Sequence, residues 1–303
     1  MRVLVTGADG FVGRWLTAEL HGAGHEAIPA PPQAELDLAV ASADDVAAVV
    51  RASSPDALVH LAAISFAPDA DRNPELAVAT NGRGTQVLLG GLAVAGSAAV
   101  ALVVSSADVY GRPQSLPIDE QAPTDADRPY GRSKLAQEAA ALEAHAAGRP
   151  VIIARSFNHL GPGQRESFAA PAFARRVLAV KRGEVSAIAV GNVDVRRDFT
   201  DVRDVVHAYR LLLEALGRSE IRLEPPVVNI GSGRSVAIRD ILAILCRLAD
   251  VPMLLHQDPA LVRPNEPPEI RADISRVHEL VGWRPQIPLE RSLADLLASL
   301  ERG

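Results

Sequence analysis

The 303-residue sequence contains a single cysteine, Cys246, so it forms no intrachain disulfide and carries no multi-cysteine metal site. We interpret Cys246 as a small core residue of an apolar helix, and a reducing cytoplasm as the compartment that fits best. We expect no bound metal. No apolar run reaches the roughly 18 residues that span a bilayer, and the first residues do not resemble a secretory signal. These absences favour a cytoplasmic protein that has no membrane partner.

A strong charge of one sign is also absent. The formal net charge is −6, from 31 basic and 37 acidic residues, and no dense Lys/Arg run occurs. This balance argues against nucleic acid as a partner. The composition is 48% hydrophobic and 22% charged, which is typical of globular proteins. The length suits one large α/β domain, or a core with a smaller lobe.

Short apolar runs alternate with stretches of helical period in the first half of the chain. The predicted strands are residues 2–6, 26–29, 57–61, 100–105 and 151–156. The predicted helices are residues 11–24, 43–52, 74–95 and 130–147. This alternation indicates βαβ units and a Rossmann-type, doubly wound parallel sheet of the α/β class. Because the strands are continuously apolar, we expect helices on both faces.

The pattern changes after residue 156. Predicted helices (residues 170–181, 238–248, 275–280 and 289–300) mix with short predicted strands (residues 185–190 and 227–230) and proline-rich connectors. We therefore predict that residues 1–156 form the doubly wound core. Residues 157–303 would form mainly a smaller, mixed α/β substrate-binding lobe over the carboxyl edge of the sheet, interleaved with the core.

A glycine-rich turn joins the first strand to the first helix. Gly7 permits a tight turn, Gly10 removes a Cβ that would block a pyrophosphate, and Gly13 lets the helix pack close to the strand. The helix directs its unpaired N–H groups and positive dipole end at the phosphates. Arg14 is either a phosphate ligand or a solvated surface charge. The predicted cofactor contacts of this turn are Gly7, Gly10, Phe11, Val12, Gly13 and Arg14.

In doubly wound folds, residues at the end of the second strand usually distinguish NAD(H) from NADP(H). Residues 28–32 read Ile-Pro-Ala-Pro-Pro. They include neither an acidic group for a ribose 2′-hydroxyl nor an arginine for a 2′-phosphate, so both cofactors stay open. The absence of a carboxylate that would repel the phosphate favours NADP(H).

Two segments carry groups suited to acid–base chemistry. Tyr130 and Lys134 are spaced i, i+4, which places them on one face of a helix. A free phenol has a pKa of about 10, and a nearby ammonium would lower that pKa toward neutrality. The alternative is an ordinary surface pair. Ser105 and Ser106 follow an apolar strand, so a hydroxyl would lie at the carboxyl edge of the sheet. The alternative for these serines is capping of the local backbone.

Nine short motifs, spread over nearly the whole chain, resemble those of the extended short-chain dehydrogenase/reductases. They are TGxxGxxG at 6–13, HLAA at 60–63, SSxxVYG at 105–111, YxxxK at 130–134, RSFNH at 155–159, RDFTDV at 197–202, NIGSG at 229–233, RP at 263–264 and GWRP at 282–285. Members of this family mostly act on sugars linked to nucleoside diphosphates, with a nicotinamide dinucleotide as the cofactor.

The resemblance implies roles for individual residues. Ser106, four positions before the tyrosine of VYG, matches the catalytic serine, and Tyr130 and Lys134 match the acid–base tyrosine and its lysine. Further implied cofactor contacts are Asp37, Leu38, Leu61, Ala62, Ala63, Asn81, Tyr130 and Lys134. The implied substrate contacts are Ser106, Asp108, Asn158, Arg197, Arg263 and Glu266. For each arginine, a structural ion pair is the alternative.

Within the family, residues 158–164 and 196–204 look most like reductases that convert GDP-4-keto-6-deoxy-D-mannose to GDP-D-rhamnose. A nucleotide-sugar 4-epimerase shares every catalytic residue and is the chief alternative. A 4,6-dehydratase is disfavoured because Asp108 is one methylene shorter than the glutamate usual in those enzymes, and Ala107 offers no acid. A non-catalytic dinucleotide-sensing module is a further alternative. The family also implies a homodimer, formed through the helices at residues 74–95 and 130–147.

Overall fold

The computed structural model describes residues 1–262 and 266–302. The strands are β1 (Arg2–Thr6), β2 (Glu26–Pro29), β3 (Ala57–His60), β4 (Val100–Ser106), β5 (Val151–Ser156), β6 (Asn158–Leu160), β7 (Ile188–Val190), β8 (Arg196–Asp201), β9 (Val227–Ile230), β10 (Ser235–Ala237) and β11 (Leu255–Gln257). The α-helices are α1 (Phe11–Gly22), α2 (Ala43–Ser53), α3 (Ala67–Arg72), α4 (Pro74–Val78), α5 (Gly84–Val94), α6 (Pro129–Ala146), α7 (Ala169–Lys181), α8 (Val202–Gly217), α9 (Ile238–Ala249), α10 (Ser275–Val281) and α11 (Leu289–Arg302).

Six strands form one parallel sheet, in the order β2-β1-β3-β4-β5-β9. Val5 of β1 is in register with Pro29 of β2 on one side and with Val59 of β3 on the other. The order of the strands therefore reverses at β1. In doubly wound sheets, a ligand-binding crevice opens at such a point, beyond the carboxyl ends of the strands. The end of β1 is where the glycine-rich turn begins.

Helices cover both faces of this sheet, as the continuously apolar strands predict. Leu4 and Leu58 pack with α2 and α5, whereas Val3 and Val5 pack with α1 and α8, and all four side chains are at most 1% exposed. Burial of each such side chain contributes about 1.5–3 kcal/mol. The protein is therefore an α/β protein of the doubly wound class.

The smaller α/β layer lies mostly in the second half of the chain. Helices α7, α9 and α11 share a core around Val177, Leu242 and Leu296. Beside it lie a three-stranded sheet, β10-β8-β6, and a two-stranded sheet, β11-β7. The division at residue 156 stays a prediction. Strand β9 and helix α8 follow that residue but belong to the main sheet and to one of its helix layers.

The observed elements differ from the predicted ones in several places, of which three illustrate the reasons. The predicted helix at 74–95 is two α-helices, α4 and α5, joined by the π-helical turn Ala79–Arg83. The predicted strand at 185–190 is confined to Ile188–Val190. Helix α8 is not among the predicted elements, because it begins directly at the end of β8 without turn residues. The carboxylate of Asp201 caps α8 by accepting the N–H of Arg203 at 2.8 Å.

Candidate active site

The glycine-rich turn leaves β1 at the crevice. Gly7 has φ +70°, and a Cβ there would lie 2.9 Å from the amide nitrogen of Ala62, just beyond β3. A Cβ on Gly13 would lie 2.2 Å from the carbonyl oxygen of Gly7, so the first turn of α1 can pack this closely only with glycine. Gly10 is the N-cap of α1. A Cβ on Gly10 would meet only the Gly7 carbonyl, at 3.1 Å, so the space in front of the helix N-terminus is open.

This arrangement fits a dinucleotide diphosphate. The unpaired N–H groups at the start of α1 face open space, and the first turn of the helix has no acidic side chain. Phe11 and Val12 lie half-buried in that turn. Arg14 does not project freely from it. Its guanidinium donates to the carbonyl oxygens of Asp9 at 2.8 Å and Gly163 at 3.1 Å, so it ties the turn to the segment after β6.

A buried hydrogen-bond chain fixes the spacing of β1 and β3 at the crevice. The hydroxyl oxygen of Thr6 accepts from the N–H groups of Leu61 and Ala62, and it lies 2.8 Å from Nδ1 of His60. The opposite ring nitrogen of His60 lies 2.9 Å from the hydroxyl of Thr85. Burial lowers the pKa of His60 to about 3, with the charge of Lys134 adding to the effect, so the imidazole is neutral. Ala63 follows, half-buried.

Asn81 lies in the π-helical turn and is completely buried. Its Oδ1 accepts the N–H of Ile64 at 2.8 Å, and its amide group donates to the Ile64 carbonyl and to the hydroxyl of Ser133. The Ser133 hydroxyl donates in turn to the Tyr130 carbonyl. Asn81, an implied cofactor contact, thus holds the segment after β3 against α6 with every polar atom of its amide engaged.

The implied adenine contacts lie in the segment between β2 and α2. The Asp37 carboxylate accepts the N–H of Ala39 at 3.0 Å and so closes a local turn. Leu38 is 8% exposed, and a Cβ on Gly84 would come within 3.1 Å of it. The structure thus places Leu38 in the core beside α5 and leaves Asp37 half-exposed beside it.

Ser106 and Tyr130 come together at the carboxyl end of β4. Tyr130 is 9% exposed and lies in the first turn of α6, and its side chain is hydrogen-bonded to that of Ser106. Ser106 also donates to the Asp108 carboxylate at 3.3 Å and accepts the Asp108 N–H at 3.2 Å. Asp108 is exposed. The structure thus brings the side chains of Ser106, Tyr130 and Asp108 to one edge of the sheet, and their roles stay predictions.

The pKa of Tyr130 is raised from its usual value, not lowered. Burial is the main cause, and the negative charge of Asp108 adds to it, whereas hydrogen bonding with the Ser106 side chain acts in the opposite direction. The prediction that the pKa of Tyr130 is lowered toward neutrality is wrong, because burial and Asp108 determine the direction of the shift. The phenol is consequently protonated at neutral pH, which is the form that a proton donor needs.

Lys134 follows Tyr130 by one turn of α6 and is 3% exposed. Its ammonium donates to the carbonyl oxygen of Val104 at 3.0 Å and to Oε1 of Gln137 at 2.7 Å. Burial lowers the pKa of Lys134 to about 8, although the charge of Glu138 opposes this change. A buried cation is thus held at the end of β4, near the two hydroxyl groups.

A buried ion pair that the motifs do not indicate clamps α6 to the sheet. Arg155 of β5 donates to both carboxylate oxygens of Glu138, at 2.9 and 2.7 Å, and Ser105 donates to the same carboxylate at 2.6 Å. All three side chains are at most 6% exposed. The spacing from Lys134 to Glu138 is i, i+4, so the helical face that carries Tyr130 and Lys134 could have identified Glu138 from the sequence.

The other implied substrate residues that the structure describes lie on β6 and β8 or pair with them. Asn158 is exposed at the start of β6, next to β8. Arg197 of β8 forms an ion pair of 2.7 Å with Glu266, and both side chains are largely buried. Arg197 also donates to the carbonyl oxygen of Pro267 at 2.9 Å. Arg263 lies outside the described residues.

Comparison with known proteins shows the family to which the chain belongs. Residues 35–296 match the family model described as GDP-mannose 4,6 dehydratase. A GDP-6-deoxy-D-mannose reductase of Pseudomonas aeruginosa is 37% identical over 99% of this chain and 97% of its own length. A UDP-glucose 4-epimerase of Azospirillum brasilense is 32% identical over 94% of this chain and 87% of its own length.

Solved structures show the same similarity. The structure of RMD from Pseudomonas aeruginosa, complexed with NADPH, has a TM-score of 0.88 and 35% identity, and the match covers 100% of this chain and 99% of that one. A putative epimerase from Burkholderia cenocepacia has a TM-score of 0.85 and 31% identity, over 100% and 98% of the two chains. The chain therefore belongs to the GDP-mannose 4,6 dehydratase family, within the extended short-chain dehydrogenase/reductases.

Proposed function

We propose that this protein reduces the 4-keto group of a nucleotide-linked 6-deoxy sugar, and that it converts GDP-4-keto-6-deoxy-D-mannose to GDP-D-rhamnose. The observation that carries the proposal is the meeting of a protonated, buried phenol at Tyr130 with the hydroxyl of Ser106, beside a glycine turn that fits a diphosphate. The similarity to a GDP-6-deoxy-D-mannose reductase over the full chain supports the choice of sugar.

The cofactor we propose is NADP(H). Ala30 and Pro31, at the end of β2, stand where a carboxylate would repel a 2′-phosphate. The similarity to a structure complexed with NADPH supports this choice over NAD(H). Gly7, Gly10 and Gly13 would accommodate the diphosphate at the start of α1.

The chain's own residues would divide the chemistry among them. When bound, the reduced nicotinamide supplies the hydride that reduces the C4 carbonyl. Tyr130 donates a proton to the carbonyl oxygen as negative charge develops there, and Ser106 stabilises that charge by a hydrogen bond. Lys134 stabilises the phenolate that Tyr130 becomes. Because β4 and α6 hold these groups before the substrate arrives, the site needs little reorganisation.

Substrate binding would use groups on β6 and β8. Asn158 and Arg197 are the proposed diphosphate ligands, because an amide donates to phosphate oxygens and a guanidinium donates to them in pairs. Glu266 already holds Arg197 in place by its ion pair. The role of Arg263 rests on the family resemblance. Binding energy from the nucleotide end would then position C4 against Tyr130.

The second candidate is a 4-epimerase, which the 32% identity to a UDP-glucose 4-epimerase favours. Net turnover separates the two activities. A reductase consumes one NADPH for each GDP-4-keto-6-deoxy-D-mannose, so the absorbance of the reduced nicotinamide falls in proportion to the sugar added. An epimerase isomerises UDP-glucose with no net change in that absorbance. The reductase proposal fails if UDP-glucose turns over while the keto sugar leaves the NADPH signal constant.

Asp108→Asn is expected to change the pH dependence of the reduction. Loss of the negative charge stabilises the phenolate of Tyr130, so the pKa of Tyr130 falls. The protonated donor is then lost at a lower pH, and the alkaline limb of kcat against pH moves down by about half a unit to one unit. A pH profile measured at saturating substrate reports this shift.

The matched control for that shift is Asp250→Asn. Asp250 is exposed at the end of α9 and has a positive φ, which asparagine tolerates, so this variant removes the same charge from the smaller lobe. Its pH profile should equal that of the unmodified protein. An unchanged profile for Asp108→Asn would show that Asp108 does not influence Tyr130.

We also propose that two copies associate through α4, the π-helical turn and α6. These elements border a groove of about 880 Å³ that is lined largely by alanine, valine and proline side chains. Leu76, Val78 and Leu142 are unusually exposed on these helices, at 38–43%. A second copy would bury these apolar side chains, and the small lining residues let helices approach closely.

Ala139→Arg tests this association. Ala139 is exposed in the groove, so a charged side chain there is expected to convert the dimer to a monomer. Ala18→Arg, on the exposed side of α1, is the control and should leave the dimer intact. Light scattering after size-exclusion chromatography measures both. A monomeric unmodified protein, or an Ala139→Arg dimer, would contradict the proposed interface.

A further inference from the structure

Gln137 lies one helical turn beyond Lys134, and its side chain is completely buried. Its Oε1 accepts a hydrogen bond from the Lys134 ammonium at 2.7 Å. Its amide nitrogen has no hydrogen-bond partner among the described residues. The orientation of the amide is set by Lys134, because the reversed amide would place two donors against each other.

A buried amide nitrogen without a partner is costly to the fold. An apolar side chain of similar length would fill the same space without that cost. The glutamine at position 137 is therefore poorly explained by stability alone. The one polar contact that it makes in the described structure is the contact with Lys134, which points to a role in holding that lysine.

The neighbouring carboxylate does not replace Gln137 as the partner of Lys134. Glu138 is engaged by two of the three guanidinium nitrogens of Arg155 and by the hydroxyl of Ser105. Lys134 therefore has two neutral acceptors, the Val104 carbonyl and the Gln137 amide. They take two of its three N–H donors and leave the third for a cofactor ribose or for the phenol oxygen of Tyr130.

Other titratable groups surround this lysine on the packed elements. They are the neutral His60 on β3, Tyr130 and Glu138 on α6 itself, and Arg155 on β5, which is paired with Glu138. Arg155 and Glu138 largely cancel each other's charge. The positive charge of Lys134 thus remains available to the site.

We infer that Gln137 is a positioning residue: its amide oxygen, together with the Val104 carbonyl, holds the ammonium of Lys134 at the end of β4 without neutralising its charge. The catalytic consequence rests on the proposed function, because it requires Lys134 to act in the reduction. The contact itself can be tested independently of any activity.

The chain contains two lysines, Lys134 and Lys181, which makes the measurement direct. Full-length protein grown with ¹³C-labelled lysine gives one ε-carbon signal for each, and the exposed Lys181 is the internal reference. In the unmodified protein the Lys134 signal should titrate at about 8. Gln137→Glu adds an opposite charge and should raise that midpoint by about one unit or more, whereas Gln137→Met removes an acceptor and should lower it.

Gln121→Glu is the matched control, since it adds the same charge at an exposed position outside the site. It should leave the Lys134 midpoint within about 0.2 unit, as expected for a screened surface charge. Both Gln137 variants should also lower kcat about tenfold or more, because each loses or distorts one hydrogen bond to a charged group. The KM of the sugar should change little. A merely structural role would lower the melting temperature but leave the titration of Lys134 unchanged.

The outcomes separate this inference from the proposed function. If the Lys134 midpoint responds to Gln137→Glu but no keto sugar is reduced, the contact stands and the proposed function fails. If the midpoint stays unchanged in both Gln137 variants, the inference is overturned, whatever reaction the protein catalyses. If the midpoint moves but kcat of an active reductase does not, Gln137 holds Lys134 without consequence for the reaction, which also overturns the inferred role.

Discussion

Tyr130→Phe is expected to lower kcat for the keto sugar by a factor of about 10² to 10⁴, the usual contribution of a positioned general acid. The variant removes only the phenol oxygen, whose partner in the site is the hydroxyl of Ser106. The fold and the cofactor affinity should therefore persist. Single-turnover kinetics with NADPH and the keto sugar measure the chemical step directly.

Tyr110→Phe is the control for this substitution. Tyr110 is also buried, at 1% exposure, and its phenol donates to Asn229 at 2.7 Å, away from the crevice. Losing that hydrogen bond should cost about 0.5–1.5 kcal/mol of stability and leave kcat within a factor of two or so. A Tyr130→Phe enzyme with a kcat near that of Tyr110→Phe would remove Tyr130 from the mechanism.

Gly13→Ala and Gly10→Ala are expected to separate the two functions of the glycine turn, which are close packing of α1 against β1 and binding of the cofactor diphosphate. At Gly13, the added Cβ would overlap the carbonyl oxygen of Gly7 at 2.2 Å. The helix must move away from β1, which costs about 1–3 kcal/mol or more and displaces the helix N-terminus. We expect a lower melting temperature and loss of NADPH binding.

At Gly10 the added Cβ would make one tight contact, 3.1 Å from the carbonyl oxygen of Gly7, which a shift of a few tenths of an ångström in the turn would relieve. The Cβ instead enters the space proposed for the diphosphate. We expect a melting temperature close to that of the unmodified protein and an NADPH dissociation constant raised about tenfold or more, as for a displaced phosphate contact. Thermal unfolding and NADPH fluorescence titration measure the two effects.

Gly22→Ala, at the last residue of α1, is the control for both glycine variants. A Cβ there meets nothing within 4 Å, so alanine should be neutral or should stabilise the helix by about 0.5–1 kcal/mol. If Gly10→Ala binds NADPH as tightly as Gly22→Ala does, the diphosphate does not lie at this turn.

The main sheet is largely predictable from the sequence because its strands are short, apolar and separated by clear helices. Strand β1 is an example: Val3 and Val5 are buried on one face and Leu4 on the other. The strand is therefore continuously apolar in sequence, and this pattern predicts a sheet that helices cover on both faces. Helix α8 and the short strands β6, β8 and β10 are not predicted. Strand β8 reads Arg-Arg-Asp-Phe-Thr-Asp, and its polar residues are paired by distant segments, as Asp198 is by Ser232 and Ala272.

The catalytic candidates were accessible to sequence reasoning because each follows a recognisable element. Ser106 ends an apolar strand, and Tyr130 and Lys134 share a helix face. The helical spacing also places Gln137 and Glu138 near Lys134, but it does not show which group each side chain contacts. Glu138 is engaged by Arg155 because the register of β4 and β5 places Ser105 beside Arg155 under α6, and Gln137 is the side chain that accepts from Lys134. The raised pKa of Tyr130 was not predictable from the sequence either. The burial of its phenol depends on how α6 packs against the sheet and not on the spacing of residues along α6.

The fate of the hydride tests the central claim most directly. GDP-4-keto-6-deoxy-D-mannose is incubated with NADPH that carries deuterium at the transferable position, and the product sugar is examined by mass spectrometry and NMR. The account predicts one deuterium atom at C4 of GDP-D-rhamnose for each NADPH oxidised. A product without deuterium at C4, or a deuterium-labelled NADPH that stays unconsumed while the sugar is isomerised, would contradict it.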